Sequence, residues 1–441
     1  AILETMPIDV IGLNCSTGPD YMREPLRYLG ENTPLPVSCI PNAGLPLNVD
    51  GQAVYPLEPE PFANTLAEYV EKFHISVVGG CCGTTPAHLA QLVQKLDRHP
   101  LPARPVLTTP LLASAVQATT MEQQPRPLLI GERLNSQGSQ KFKKLLLAED
   151  FDSMINVAQQ QVDGGAHALD ICVALTERGD EAELIRRTIK QLAPLVRVPL
   201  VFDTTEPEVM EVALKTAPGR SMLNSVNLEA GTAKARRILG LAKTYNAAVI
   251  ALTIDEQGMA KTASRKLEVA QRIYEMATQE FGLRPGDLVF DALTFTLATG
   301  DPEFNASALE TMEGIRRIKS ELPGVFTSLG VSNVSFGLSA AARPVINSVM
   351  LYHCVQAGLD MAIVNPAQIT PYADIPAQER ELAEDLVLNR RPDALQRLIE
   401  FFEQAGPSQN KAQGPVAPTA GLPPEERLHW RIVHRDKENV E

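Results

Sequence analysis

The stretch LLIGERLNSQGSQKFKKLLLAEDFDSMINVAQQQVDGGAHALDIC (128–172) decides how this chain is read. It opens on LLIGE (128–132) and closes on ALDIC (168–172), two short apolar runs that each carry an acid. Runs this short and this apolar fit strands buried on both faces. Between them, MINVAQQQVDGG (154–165) has helical spacing and ends in glycines that suit a helix C-cap. A strand, a helix and a second buried strand make one unit of a parallel α/β fold.

The unit recurs downstream. Further strand-like runs are PLVFD (199–203), SMLNSV (221–226), AAVIALTID (247–255), LVFDAL (288–293), FTSLGVS (326–332) and MAIVNP (361–366). Helix-like stretches lie between them, among them EAELIRRTIKQLA (181–193), RKLEVAQRIYEMATQEFG (265–282) and PVINSVMLYHCVQAG (344–358). Eight such units in ~280 residues match a (β/α)8 TIM barrel. A doubly wound sheet is the alternative, and the count of eight favours the barrel. Glu132, Asp170, Asp203, Asn224, Asp255, Asp291, Asn333 and Asn365 fall at or just past the strand ends. Any one alone reads as a helix N-cap. Eight in register read as a polar ring at the end of the barrel where active sites form.

Upstream, VIGLNC (10–15), PVSCIPN (36–42) and ISVVGGC (75–81) read as strands of three more units, with helices near 20–29, 60–73 and 86–97. Three units cannot close a barrel, and an open apolar sheet edge is a liability. The expectation is therefore an incomplete second barrel, in a chain that is a fragment or one part of a split protein. Pro-rich stretches at 99–127 and 406–424 read as linkers. The expected divisions are 1–98, the linker 99–127, the barrel 128–405, the linker 406–424 and a tail 425–441.

With 40 Lys and Arg against 53 Asp and Glu, the net charge of −13 disfavours nucleic acid as a partner. No apolar run is long enough for a bilayer, and the first ten residues lack a signal-peptide pattern. Six cysteines in 441 residues are too few for a disulfide scaffold, so a reducing, cytoplasmic setting is expected. Cys15 (GLNCSTGPD) and the adjacent Cys81 and Cys82 (GGCCGTTPAH) each end a strand-like run. Three thiolates with an open fourth position describe a catalytic zinc site suited to a sulfur substrate. Cys39, Cys172 and Cys354 lie outside Gly-rich turns and read as buried apolar residues.

GLNCSTGP, PNAGLP (41–46) and GGCCGTTP together resemble the homocysteine-binding zinc methyltransferase domain, of which only the last three units are matched. IGERLNSQGSQKF (130–142), ALDI (168–171), FDTTEP (202–207), LNSVNLE (223–229), TGD (299–301) and LGVSNVSFGL (329–338) resemble the pterin-binding domain of methyltetrahydrofolate methyltransferases. The two in this order are similar to the cobalamin-dependent methionine synthase family, and LPPEERLHWRIVHRDKENVE resembles the opening helix of its cobalamin-capping domain.

The resemblance implies zinc on Cys15, Cys81 and Cys82, and 5-methyltetrahydrofolate and homocysteine as substrates. It implies cobalamin carried by a cobalamin-binding domain outside these residues. Asp170, Asn224 and Asp291 match positions that hold the pterin, with Asp203 and Arg343 as weaker matches. Asn333 matches the catalytic residue near the folate N5, and Gly330 and Ser332 match contacts beside it. Cys172 and Ala292 stand where the family often has Asn and Pro. Other readings are a folate-only methyltransferase serving a separate corrinoid protein, a non-catalytic pterin-binding module and, last, a dihydropteroate synthase.

Overall fold

The apolar runs form two parallel sheets in the computed structural model, which describes residues 8–97 and 110–404 and the single positions 3 and 423. The expected linker 406–424 and the tail helix within 425–441 lie outside the described residues, Pro423 alone excepted.

The first sheet begins with β1 (Ile11–Asn14) and β2 (Val37–Ile40), which lie parallel. A short hairpin of β3 (Leu47–Val49) and β4 (Gln52–Val54) follows, and β5 (Val77–Val78) then pairs with the far side of β2. Helices α1 (Pro19–Asn32), α2 (Pro59–Phe73) and α3 (Pro86–Leu96) each start with a proline, which has no N–H to leave unpaired there. Leu26, Val37, Phe62, Leu66 and Tyr69 pack between helices and sheet as a core of their own.

The second sheet has eight strands. In chain order they are β8 (Leu128–Asn135), β9 (Ala168–Cys172), β10 (Leu200–Asp203), β11 (Met222–Val226), β12 (Ala248–Leu252), β15 (Leu288–Asp291), β16 (Phe326–Ser328) and β17 (Met361–Val364). All pairs are parallel, and β17 returns to lie beside β8. The remaining gap, between β16 and β17, is bridged by Asp360 N–H to Thr327 O (3.2 Å) and Ile363 N–H to Leu329 O (2.9 Å). A ring of consecutive strands is a (β/α)8 barrel, and the doubly wound alternative is excluded. Its helices are α4 (Gln140–Ala148), α5 (Phe151–Asp163), α6 (Glu181–Leu192), α7 (Pro207–Thr216), α8 (Thr232–Thr244), α9 (Ala263–Glu275), α10 (Ser307–Glu321) and α11 (Ala342–Gln356), with α12 (Ala377–Val387) and α13 (Ala394–Gln404) after β17.

Side chains alternate between the two faces of a strand. Ile130, Ala168, Val201, Met222 and Val289 form a buried cluster inside the ring. Two residues further on, the same face carries Glu132, Asp170, Asp203, Asn224 and Asp291. One period-2 rule thus makes an apolar plug below and a polar layer above.

Two expectations need correction. Residues 110–127, read as part of a linker, hold a hairpin of β6 (Leu111–Ala113) and β7 (Ala118–Thr120). Leu112 and Met121 join the cluster inside the ring and close its lower end. Ala113 pairs with Arg220, whose guanidinium donates to the Leu111 carbonyl and to buried Asp287 at 2.5 Å. The run 247–255, read as one strand, breaks after Leu252. Ile254–Asp255 (β13) and Gly258–Met259 (β14) form a separate hairpin. Asp255 therefore leaves the polar ring, and its buried carboxylate takes ion pairs from Arg265 and Arg272 on α9. No helix among the described residues is long and apolar enough to cross a membrane.

Candidate functional site

The polar layer is built around Asp170. Its strand is offset, so Asp170 is registered with Val201 while Asp203 is registered with Asn224. Asp170 thus sits one layer deeper and is only 1% exposed. Its Oδ2 accepts from Asn135 Nδ2 at 3.1 Å and its Oδ1 from Asn224 Nδ2 at 3.2 Å. The same Asn135 amide donates to Asp203 Oδ2 at 2.6 Å. Two carboxylates and two carboxamides form one network.

Burial dominates the acidity of this group, because a carboxylate loses its hydration there. Burial, and then the nearby Asp203 charge, push Asp170 well above the usual carboxylate range. Burial lifts Asp203 to about 6 against the Asn135 bond, which pulls it down. Asp291 is also lifted to about 6 by burial. Its Oδ1 accepts the Leu293 amide at 2.7 Å and its Oδ2 the Gly330 amide at 3.3 Å. Asp291 therefore shapes its own turn and draws the Gly330 loop inward.

That loop carries the remaining predicted residues. Gly330 precedes the 3-10 turn Val331–Ser335, in which Ser332 and Asn333 stand at the barrel mouth. Asn333 is exposed. The Ser332 hydroxyl donates to both Glu132 oxygens, at 2.9 and 3.1 Å. Burial raises the Glu132 carboxyl above its ordinary value. Arg343, early in α11, donates from Nε to Ser335 Oγ at 3.2 Å. Asn365 accepts the Ala367 amide at 3.3 Å and caps the short helix Pro366–Gln368.

Three contributors escaped the sequence reading. Asn135 lies within IGERLNSQGSQKF, where nothing in the residue pattern distinguishes it. A register shift between Gly131 and Leu134 places it opposite Cys172 and turns it inward, and a bulge of that kind has no mark in the residue pattern. Arg133, two residues earlier, lines a barrel-mouth cavity with Glu132 and Arg343. Lys266 is fully buried, and its ammonium donates to the carbonyls of Ala260 (2.9 Å), Ala292 (2.5 Å) and Leu293 (3.2 Å). Burial lowers it to about 8, partly offset by the Asp291 charge. It grips the turn that presents Asp291. A lysine in an otherwise amphipathic helix gives no hint of this.

The three predicted thiols do converge. Cys15 directly follows β1 with φ 58°, and Cys81 and Cys82 follow β5 across two glycines. The PNAGLP segment stitches the two turns together: Cys15 N–H donates to Ile40 O (2.9 Å), Cys81 N–H to Pro41 O (2.8 Å) and Ala43 N–H to Cys82 O (2.9 Å). Gly83, at φ 77°, leaves room for the Tyr55 ring, which a Cβ would strike. Cys15 Sγ lies 3.7 Å and Cys81 Sγ 3.8 Å from Cys82 Sγ. Tetrahedral zinc with Zn–S near ~2.3 Å requires sulfurs ~3.8 Å apart, so the trio fits that ion. The Ser16 amide and the neighbouring thiols hold Cys15 below its ordinary value. Cys39 and Cys172, by contrast, are buried and pushed up to about 12. Cys354 is also buried and shifted upward.

Residues 131–365, more than half of the chain, match the family model described as pterin binding enzyme. The chain belongs to the pterin-binding enzyme family. In this pterin-binding enzyme, residues 1–96 also match the model described as homocysteine S-methyltransferase. Methionine synthase from Mycobacterium tuberculosis is 41% identical over 445 residues, and that from Mycobacterium leprae 40% identical over 453. Each alignment covers 100% of this chain and 37% of the relative. Among solved structures, dihydropteroate synthase from Xanthomonas albilineans aligns with 59% of this chain and 94% of its own, at 18% identity and TM-score 0.42.

Proposed function

We propose that the barrel of this pterin-binding enzyme binds 5-methyltetrahydrofolate and releases its N5-methyl to a corrinoid. We propose further that residues 1–98 hold zinc for homocysteine, as the last units of an incomplete barrel, in a cytoplasmic pathway of methionine formation. The observation that carries the first part is the deep Asp170 carboxylate, held between Asn135 and Asn224 with Asp203 one layer above. A pterin offers two donors side by side, N3–H and the 2-amino group, and one carboxylate accepts both. The two amides fix the orientation of that carboxylate before substrate arrives.

With this edge anchored, the opposite edge of the ring, bearing N5, faces the Asn333 turn. The N5-methyl is a poor electrophile while its leaving group is an anion. Protonation at N5 makes the leaving group a neutral amine, and in this reading the Asn333 side chain stabilises the N5–H as charge develops. A corrinoid, carried on a cobalamin-binding domain of the larger protein, would supply the methyl-accepting nucleophile. Zinc on Cys15, Cys81 and Cys82 would hold homocysteine sulfur as thiolate at neutral pH. The exposed Cys82 leaves that side of the trio open to a sulfur ligand.

The test is Asn333→Ala. Methyl transfer from 5-methyltetrahydrofolate to added cob(I)alamin should fall roughly 100-fold while pterin affinity changes little. Equal losses in binding and transfer would remove Asn333 from catalysis. Tight pterin binding with no transfer in the unmutated chain would leave a binding module.

A further inference from the structure

The first sheet carries an element that its core does not use. Strands β3 and β4 form a hairpin in which every strand residue is exposed, Leu47, Val49 and Val54 among them. A hairpin of such short, exposed strands buries little surface of its own. Its tip is set by Asn48, whose Oδ1 accepts the Gly51 N–H at 3.0 Å. What the hairpin delivers is the segment 55–57, and that segment is tied down on both sides of the thiol trio. On one side the Leu57 N–H donates to Ala43 O at 3.0 Å, within PNAGLP. On the other, Leu57 O accepts from Nε2 of buried His88 at 2.8 Å, in the first turn of α3. His88 Nδ1 accepts the Thr85 N–H at 3.2 Å, so Nε2 carries the proton.

Between these ties the Tyr55 ring lies against Gly83, the residue after Cys82. A Cβ on Gly83 would stand 2.2 Å from Tyr55 Cβ and Cγ. The hydroxyl end reaches the thiols. It bonds to the Cys82 sulfur, with Cys15 and Cys81 near enough to act on it as charges. That bond first, and then burial, raise the hydroxyl above its ordinary value, so it keeps its proton and is the donor. Cys82 is the exposed thiol of the three. Its main chain is held by Asn42 and Ala43, but its sulfur meets only Cys15, Cys81 and Tyr55 among the described residues. Once the three sulfurs are thiolates, as metal binding requires, the two cysteines can no longer donate to Cys82. Tyr55 still can. This step rests on the zinc reading above. We infer that Tyr55 is a positioning residue of the metal site, whose hydroxyl donates to the Cys82 thiolate, fixes the direction of that sulfur and draws off part of its charge. Partners of this kind orient metal ligands and tune the ion they hold. A thiolate that shares its charge with a donor gives less to the ion, which then draws more from a substrate sulfur.

The experiment uses the whole chain, with zinc and cobalt(II) as probes. Tyr55→Phe keeps the ring on Gly83 and removes only the hydroxyl, whereas Tyr55→Ala removes both. Zinc affinity is read by competition with a chelator. The sulfur-to-metal charge-transfer band of the cobalt(II) form reads the electrons of the thiolates directly. In Tyr55→Phe the zinc affinity should fall about tenfold or more. The band should move to longer wavelength, because a thiolate without its hydrogen bond gives up an electron more easily. Tyr55→Ala should show the same shift. If neither readout moves in Tyr55→Phe, the zinc reading stands and Tyr55 is removed from the metal site. Lost affinity in Tyr55→Ala alone would assign the effect to the packing of the ring and overturn the role of the hydroxyl. Lost affinity in Tyr55→Phe with an unmoved band would overturn it too, since the hydroxyl would then not act on a ligating sulfur. Failure of the unmutated chain to take up either ion would overturn the zinc reading itself, and this inference with it.

Discussion

At the residue scale, the buried acids set a conflict between stability and binding. Asp203 titrates at about 6 in the folded chain, above the ~3.9 of an unfolded aspartate. A folded pKa above the unfolded one means that the folded form holds its proton more tightly. That advantage is complete below about pH 4 and is lost as pH rises through 6. Above 6 the folded chain carries a buried charge at a cost of about 3 kcal/mol. Asp203→Asn keeps an oxygen for the Asn135 amide and removes the charge. It should raise the unfolding free energy by about 3 kcal/mol at pH 7.5 and change it little at pH 4. Denaturant titrations at the two pH values measure this, and an equal effect at both would show that the charge is not the cause. Asp291, also near 6, should tie folate affinity to pH. A pterin that needs the carboxylate form binds more weakly below 6, by up to tenfold per pH unit, and reaches a plateau above it. Flat affinity between pH 5 and 8 would take Asp291 out of binding.

At the element scale, α9 holds the barrel mouth in shape. Its Arg265 and Arg272 pair with Asp255 in the hairpin after β12, and its Lys266 ties Ala260 of that loop to Ala292 and Leu293 after β15. Lys266→Met keeps the bulk of the side chain and strands three carbonyls. It should lower stability by about 1–3 kcal/mol and weaken pterin binding through the displaced Asp291 turn. Denaturation midpoints and ligand affinities read the two effects, and a stability loss without an affinity loss would show that the Asp291 turn holds itself. This clamp also marks how far the sequence could be read. Strands are legible as short apolar runs and helices by their spacing, and of the eight polar residues read at the strand ends five, Glu132, Asp170, Asp203, Asn224 and Asp291, lie on the inward face of a strand. Asp255 was misplaced because the polypeptide turns at Thr253 under a bond from its amide to Asp291 O, a contact 38 residues away that no local pattern records. The hairpin β6–β7 was missed for the same reason. Its strands have three residues each, and what stabilises them is the barrel floor and Arg220, not their own composition. The thiol trio was legible because Gly-rich turns surround it, whereas Asn135 depended on a bulge.

At the scale of the whole molecule, the two sites rest on different sheets, and the bonds that shape each lie within its own sheet. The thiol turns are fixed by main-chain bonds of Cys15, Cys81 and Cys82 to Ile40, Pro41 and Ala43, and by the Cys82 N–H donating to the Asn42 side-chain oxygen. The pterin layer is fixed by the alternation and register of the barrel strands. Perturbations at sites without shared partners are expected to add. A ligand that binds only the folded form of one sheet raises the stability of that sheet by mass action. Zinc should therefore stabilise the first sheet and 5-methyltetrahydrofolate the barrel, each leaving the other unchanged. Calorimetry with and without a chelator, and with and without folate, separates the two. The chelator should lower one transition, and folate should raise the other. Cys82→Ser should abolish the chelator effect and about one equivalent of bound zinc, while the folate shift stays intact. A single transition moved by both ligands would mean that the two sheets unfold as one cooperative unit, and additivity between the sites would then fail.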